Sequence, residues 1–419
     1  MVILVTRSYF SWLDYSEHER RKTLDVINLF REQDTRDELG LGAVRDGMAD
    51  LLFPGTSTVQ TRAKYFLLIP WAYLRLEYRR VSPAQVSSSA RAAEIQLISV
   101  LAGSDDNDGV IGIQAGKNLQ RLPSNVYWQG LGQWGIRIYP GSQDQYHRSL
   151  ASFYASAANT QRDDDGEPVE GQLSRNWHAS LPVPPREFPA GLSLALSVDE
   201  AEYLRERILT RAPGTLLTFL VDRGTQAERT AFPWHHHQLA ELPVRIREQL
   251  DHAQNISELM WGAALLYNLM LARLSERSEL VQSYEQRLAG WSTMIEARHD
   301  ALRAWDRRRF WDILLSAGAR PTPLTRAFID TWIAHTLGNP RGMAANASVQ
   351  RLIRDRECAL KGGQARLDNR RALENWGGAA GSAQLSFRWP VAQRMVEDIL
   401  SGLAAQSAPV PVLAVPLHA

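Results

Sequence analysis

The chain has 419 residues, 44% hydrophobic and 22% charged. This excludes disordered, collagenous and low-complexity classes and leaves room for about two to three domains. A single cysteine, Cys358, excludes an intramolecular disulfide, a four-cysteine zinc site and a CxxC redox pair, and fits a reducing cytoplasm. The formal net charge of +1 says little about partners, but sixteen basic residues face eight acidic ones between Gln286 and Arg371, so the C-terminal third is the basic part. All but four basic residues are arginine, the side chain suited to phosphates and guanine edges and also the one a GC-rich genome favours.

Ser16 and Glu19 form a capping box that predicts a helix through Leu24, Ile27 and Phe30. A second helix is expected over Gly42 to Phe53, closed by Pro54-Gly55. Thr56 to Thr58 then offer hydroxyl caps for a longer helix running through Gln60, Arg62 and Lys64 to about Arg80. Its apolar run, Tyr65 to Leu74, is ten residues long and holds Pro70, far short of the roughly 20 residues of a membrane span. Arg7 follows Met1 too closely for a signal peptide, so the expectation is a soluble cytoplasmic protein with no membrane partner.

Ala84 to Leu101 predicts a helix, followed by an acidic turn at Gly103 to Gly109, a short element at Val110 to Gly116, and a helix from Asn125 to Trp134 announced by Leu122-Pro123-Ser124 and stopped at Gly135. Three helices with a Gly turn before the last outline a helix-turn-helix unit, in which the last helix enters a major groove; plain packing gives the same outline. Residues 155–189, with Asp163-Asp164-Asp165-Gly166 and the prolines of Leu181 to Pro185, read as a linker. The fold class predicted is therefore mainly α: an N-terminal helical domain (1–154) with helix-turn-helix-like units, this linker, a basic helical domain (190–407) and an extended tail (408–419). In the second domain Ser197 caps a helix to Leu209, Ile256 to Leu274 is apolar on nearly every side, and further helices are expected at Val281 to Ser316, Thr325 to Leu337, Ala347 to Leu360 and Val391 to Leu403.

Motifs with chemistry mostly fail on context. Gly130-Leu-Gly132-Gln-Trp-Gly135 spells GxGxxG, but a helix precedes it where a dinucleotide fold needs a strand. Gly112 to Asn118 lacks the spacing and hydroxyl of a phosphate loop. No Glu-x-Lys, Asp-x-Lys or His-x-Lys nuclease signature occurs, no cofactor is called for, and no catalytic residue is nominated. His235, His236 and His237 are either a surface loop cluster or, with His252 or Glu241, ligands of a metal.

The residues left as nucleic-acid contacts lie in three groups. Gln60, Arg62 and Lys64 stand in the capped second segment. Lys117, Arg121, Ser124, Asn125 and Gln129 cluster about a helix start, where phosphates bind well. Arg307, Arg308 and Arg309 form a run on a predicted helix, with Trp305, Phe310 and Trp311 turned inward; the run reads either as phosphate contacts or as an ion-paired face.

The phrases Asp37 to Asp46, Ala49 to Phe66, Arg121 to Trp128 and Gln143 to His147 resemble a family of bacterial cytoplasmic proteins described only as a domain of unknown function. The resemblance spans nearly the whole chain and implies accessory proteins of mobile defence islands near helicase-type genes. The functional expectation is a DNA-binding or assembly component of a bacterial genome-defence or DNA-processing system, not catalytic by itself, with duplex DNA and other proteins, a helicase among them, as partners. A nuclease or other hydrolase with an unrecognised site, or a pure interaction scaffold, are the alternatives.

Overall fold

The computed structural model describes residues 37–158, 175–226 and 228–405. The capping-box helix at Ser16 and the tail beyond 407 lie outside the described residues, as do the three aspartates of the expected linker. The protein is mainly helical, and among the described residues there is no strand, only a single antiparallel bridge between Arg137 and Trp177. Among the described residues fifteen α-helices follow one another, with short 3-10 turns between some of them. In the first part these are α1 (Gly42–Leu52), α2 (Tyr65–Tyr78), α3 (Pro83–Ala102), α4 (Pro123–Gln133) and α5 (Gln143–Ala158). After 175–197 come α6 (Val198–Arg211), α7 (Leu216–Arg223), α8 (Val244–Leu274), α9 (Ser278–Ala297), α10 (His299–Ala304), α11 (Arg307–Ser316), α12 (Pro323–Gly338), α13 (Ala347–Lys361), α14 (Arg370–Glu374) and α15 (Trp389–Ala404).

Start signals act where the sequence puts them. Ser197 accepts the Glu200 amide while the Glu200 side chain returns to the Ser197 amide, closing the capping box of α6. Pro83, Pro123 and Pro323 occupy first helical positions, where a missing N–H is harmless. Gly135, at φ +66°, takes the left-handed turn just past α4 that its position as a stop signal requires.

α8 is the spine. It begins at Val244, twelve residues before the apolar stretch, because the added turns are amphipathic and bury Ile246, Leu250 and Ala253 against the rest of the core. α9 packs along it, and α1, α12 and α13 also lie on it. Gly262 lets the Trp291 ring lie directly on the spine: a Cβ there would stand 2.2 Å from the ring. The indole N–H of Trp291 donates to the Glu258 carbonyl at 2.8 Å.

On four points the described residues bear on the expected layout. Among the described residues the buried apolar side chains form one cluster, with members from Leu39 to Ile399 on both sides of 155–189. The described part of that segment is a packed strap: Trp177 is buried, and Asn176 and Trp177 both donate to Glu77 at 3.0 Å. Trp71 donates to the Pro182 carbonyl at 2.7 Å, and Arg75 to that of Phe188 at 3.1 Å. Second, no tight turn precedes α4, since residues 103–122 separate it from α3 and a helix-turn-helix unit needs a turn of about three to four residues. Third, residues 56–64 are turns, not helix. Thr61 and Arg62 give their amides to the Tyr127 hydroxyl at 2.8 and 3.1 Å, and Ala63 gives its amide to Asp398 at 2.9 Å, so partners far along the chain replace the i−4 carbonyls. Fourth, the helix expected from Val281 to Ser316 is three helices. Trp305 is extended, its indole donating to His252 Nδ1 at 2.6 Å, and Asp306 restarts the helix by accepting the Arg309 amide at 2.9 Å.

Candidate nucleic-acid interface

Of the first predicted group, all three side chains are buried: Gln60, Arg62 and Lys64. Gln60 braces its own turn, accepting from the Ser57 amide at 3.0 Å and donating to the Gly55 carbonyl at 3.3 Å. Arg62 is clamped by Asp398 at 2.9 Å and Asp106 at 2.7 Å, and Lys64 by Glu200 at 2.5 Å and the Ala195 carbonyl at 3.1 Å. Acidic residues from the turn at 103–109, α6 and α15 have taken the place that phosphates were expected to fill.

A similar substitution occurs at α4. Ser124 is fully buried, and its amide and hydroxyl donate to the Glu94 carboxylate at 2.8 and 2.7 Å. The anion at this helix start is thus the protein's own, placed where the backbone dipole favours it. Burial dominates Glu94 all the same and, against the bonds from Ser124, raises its pKa to about 7. Asn125 and Gln129 are exposed, on one stripe with Gln133, while Val126, Tyr127, Trp128 and Leu131 fill the opposite side. Asn125 is engaged: its Oδ1 accepts the Leu122 amide at 3.1 Å and its Nδ2 donates to Gln143 at 2.6 Å. Lys117 and Arg121 are exposed on the approach to α4, where the Lys117 carbonyl accepts from Arg91 at 3.0 Å.

The arginine run is the group of which every member lies on the surface. Arg307, Arg308 and Arg309 are all exposed, and Trp305, Phe310 and Trp311 are buried beneath them as their spacing predicts. Arg309 pairs with Glu248 at 2.9 Å; Arg307 and Arg308 have no partner among the described residues. Because the helix restarts at Asp306, the run occupies the first turn of α11, where positive charge opposes the helix dipole. Glu248 belongs to the first turns of α8, so its pairing with Arg309 brings two helix starts together, and α8 contributes exposed Arg245 and Arg247 on either side of buried Ile246. Much of the basic excess elsewhere in the C-terminal third is internal wiring: Arg298 with Glu258, Arg341 with Glu296, Arg354 with Asp368, and Lys361 and Arg366 with Glu38.

His235, His236 and His237 lie in the loop after Phe232. Trp234 stacks on Phe232 at 4.9 Å, and His237 shares a 2.8 Å hydrogen bond with Thr225. Among the described residues, no three His, Cys, Asp or Glu side chains are grouped to hold a metal ion. The GxGxxG glycines serve close packing at the end of α4. A Cβ on Gly130 would stand 2.4 Å from the Gly55 carbonyl, and one on Gly132 would stand 2.5 Å from Arg137 Nη2. Sequence reasoning missed Arg245 and Arg247, whose neighbourhood with the run depends on the helix break at Trp305. It also missed Arg137 and Arg211, which meet across more than seventy residues of chain in a cleft lined by Gln129.

The chain belongs to a family of unknown function (DUF6361), whose model matches residues 7–402. No curated protein and no solved structure matches it. No helix among the described residues is long and apolar enough to cross a membrane.

Proposed function

We propose that this protein is a nucleic-acid-binding component, not catalytic by itself, that grips the phosphate backbone of duplex DNA through the surface shared by the starts of α8 and α11. The observation that supports the reading is the exposure of Arg307 and Arg308, unpaired in a helix turn where their charge opposes the dipole, beside exposed Arg245 and Arg247. Arginines held there against local electrostatics serve an external anion better than they serve the fold. In this reading α4 does not enter a groove, and binding follows charge with no sequence code. Chemistry on the nucleic acid falls to partner proteins, a helicase among them, within a bacterial genome-defence or DNA-processing assembly such as the resemblance implies.

Fluorescence anisotropy with a labelled duplex across a salt series tests it. The logarithm of affinity falls linearly with the logarithm of salt, and Arg307→Glu with Arg308→Glu weakens all sequences alike and flattens the slope by about 2, roughly 0.9 for each phosphate no longer neutralised. Absence of binding at low salt ends the reading and leaves an interaction scaffold.

A further inference from the structure

Between α4 and α6 the surface opens into a cleft of about 460 Å3, lined by three arginines, one histidine and two glutamine amides and by no carboxylate. One arginine is accounted for: Arg207 donates to the neighbouring Glu206 at 2.6 and 2.7 Å. The other two are not. Arg211, exposed at the last position of α6, has no partner among the described residues, and its side chain lies against Gly135, where any Cβ would come within 3.2 Å of Nε. Arg137 is only 8% exposed, yet all its bonds go to neutral carbonyls: Nε to Trp128 at 3.3 Å, and Nη1 to Gly141 at 3.0 Å and to Tyr139. Its guanidinium also lies over the Trp128 ring at 4.8 Å.

A guanidinium withdrawn this far from water without a counter-charge is costly to the fold, and burial pulls its pKa down. Nη2 bonds nothing among the described residues, and Gly132 keeps the space beside it, since a Cβ there would stand 2.5 Å away. His178 also lines the cleft and has a buried Nδ1 without a partner. Exposed Gln129 and Gln133 add amides from the α4 wall. These polar groups line one cleft to which the protein contributes no carboxylate.

We infer that this cleft binds a phosphate monoester on an organic group, namely the 5′-phosphate of a nucleotide or of a nucleic-acid strand end. A monoester brings a charge of about −1.5 to −2, matching the two uncompensated guanidinium groups, and three oxygens that can accept from several directions where a flat carboxylate has two. The cleft falls in the range of about 300–1,000 Å3 typical of organic ligands, larger than phosphate alone needs, and Tyr139 and exposed Ile138 give it an apolar side. The choice of a nucleotide as carrier rests on the nucleic-acid reading above; the phosphate site itself does not.

Calorimetric titration of the full chain with inorganic phosphate, adenosine 5′-monophosphate, and a short oligodeoxynucleotide with and without a 5′-phosphate tests the inference. Phosphate and the monophosphate compete for one site, and Arg211→Glu, at an exposed position, weakens both at least tenfold in a protein that remains folded. Arg137→Gln does the same if it folds; if it does not, the Arg211 variant decides. A tenfold preference for the phosphorylated strand assigns the strand end, and equal strands with the monophosphate bound assign the free nucleotide. Arg307→Glu with Arg308→Glu leaves phosphate titration intact and Arg211→Glu leaves duplex binding at the α8–α11 surface intact, so each proposal fails on its own. Absence of binding by every phosphate probe, or wild-type affinity in the folded Arg211 variant, overturns the site.

Discussion

Arg62 and Asp398, 336 residues apart in sequence, meet at 2.9 and 3.0 Å inside the protein, and the same carboxylate takes the Ala63 amide at 2.9 Å. Asp106 holds the other edge of the guanidinium. The contact ties the turn before α2 to the last helix. Removing Arg62 strips the buried Asp398 carboxylate of its close counter-charge, a change that costs about 3–5 kcal/mol, whereas removing Asp398 leaves Arg62 still paired with Asp106. Arg62→Ala is therefore expected to lose about that much in urea denaturation, and Asp398→Ala less. A loss below about 1 kcal/mol in both would show that the pair does not hold the turn before α2 to α15.

Glu94 sets a pH dependence. Its folded pKa of about 7 lies above the ordinary 4.5, so the native state holds the proton more tightly than the unfolded chain does. This contribution is fully present below pH 4.5, declines as pH rises, and is gone above about 7, a total of about 3 kcal/mol at 1.36 kcal/mol per unit. Glu94→Gln, close in shape and uncharged, is expected to remove that decline and to be the more stable protein at pH 8. Parallel stability curves for the two proteins between pH 4.5 and 7.5 would contradict it.

Helices with a local signal were legible: the Ser197 capping box, the prolines at helix starts and the apolar spine each act through neighbours within a few residues. The 56–64 segment was not, because its amides are satisfied by Tyr127 and Asp398, which no local pattern reveals. The break at Trp305 depends on His252 of α8, fifty-three residues away. Exposure of the arginine run was legible from flanking Trp305, Phe310 and Trp311; its placement on a first helix turn was not. Ser124 misled for a related reason: the chain supplies its own anion, Glu94, thirty residues earlier.

Gly262 makes a test of packing against propensity. Alanine in a helix interior is favoured over glycine by about 1 kcal/mol, yet here its Cβ would meet the Trp291 ring at 2.2 and 2.3 Å. The ring cannot easily yield, because its N–H is held by the Glu258 carbonyl. Overpacking of this kind costs about 1–3 kcal/mol. Gly262→Ala is expected to lower the melting temperature, and a rise would show that α9 shifts freely on α8.

Arg307 and Arg308 separate stability from binding in one pair of variants. At the start of α11 each positive charge opposes the dipole by about 0.3–1 kcal/mol, and neither has an acidic partner among the described residues that would offset this. Glutamate at these positions reverses the sign, so Arg307→Glu and Arg308→Glu are expected to raise stability slightly, by up to about 1 kcal/mol each at low salt, with the gain shrinking as salt screens it. The same changes are expected to weaken duplex binding. A residue kept for the fold would lose stability on replacement, whereas one kept for an external phosphate loses affinity while the fold gains. Denaturant melts and anisotropy on the same preparations read both quantities. If the glutamate variants melt earlier than wild type, the run belongs to the fold, and the interface proposed at the starts of α8 and α11 loses its main support.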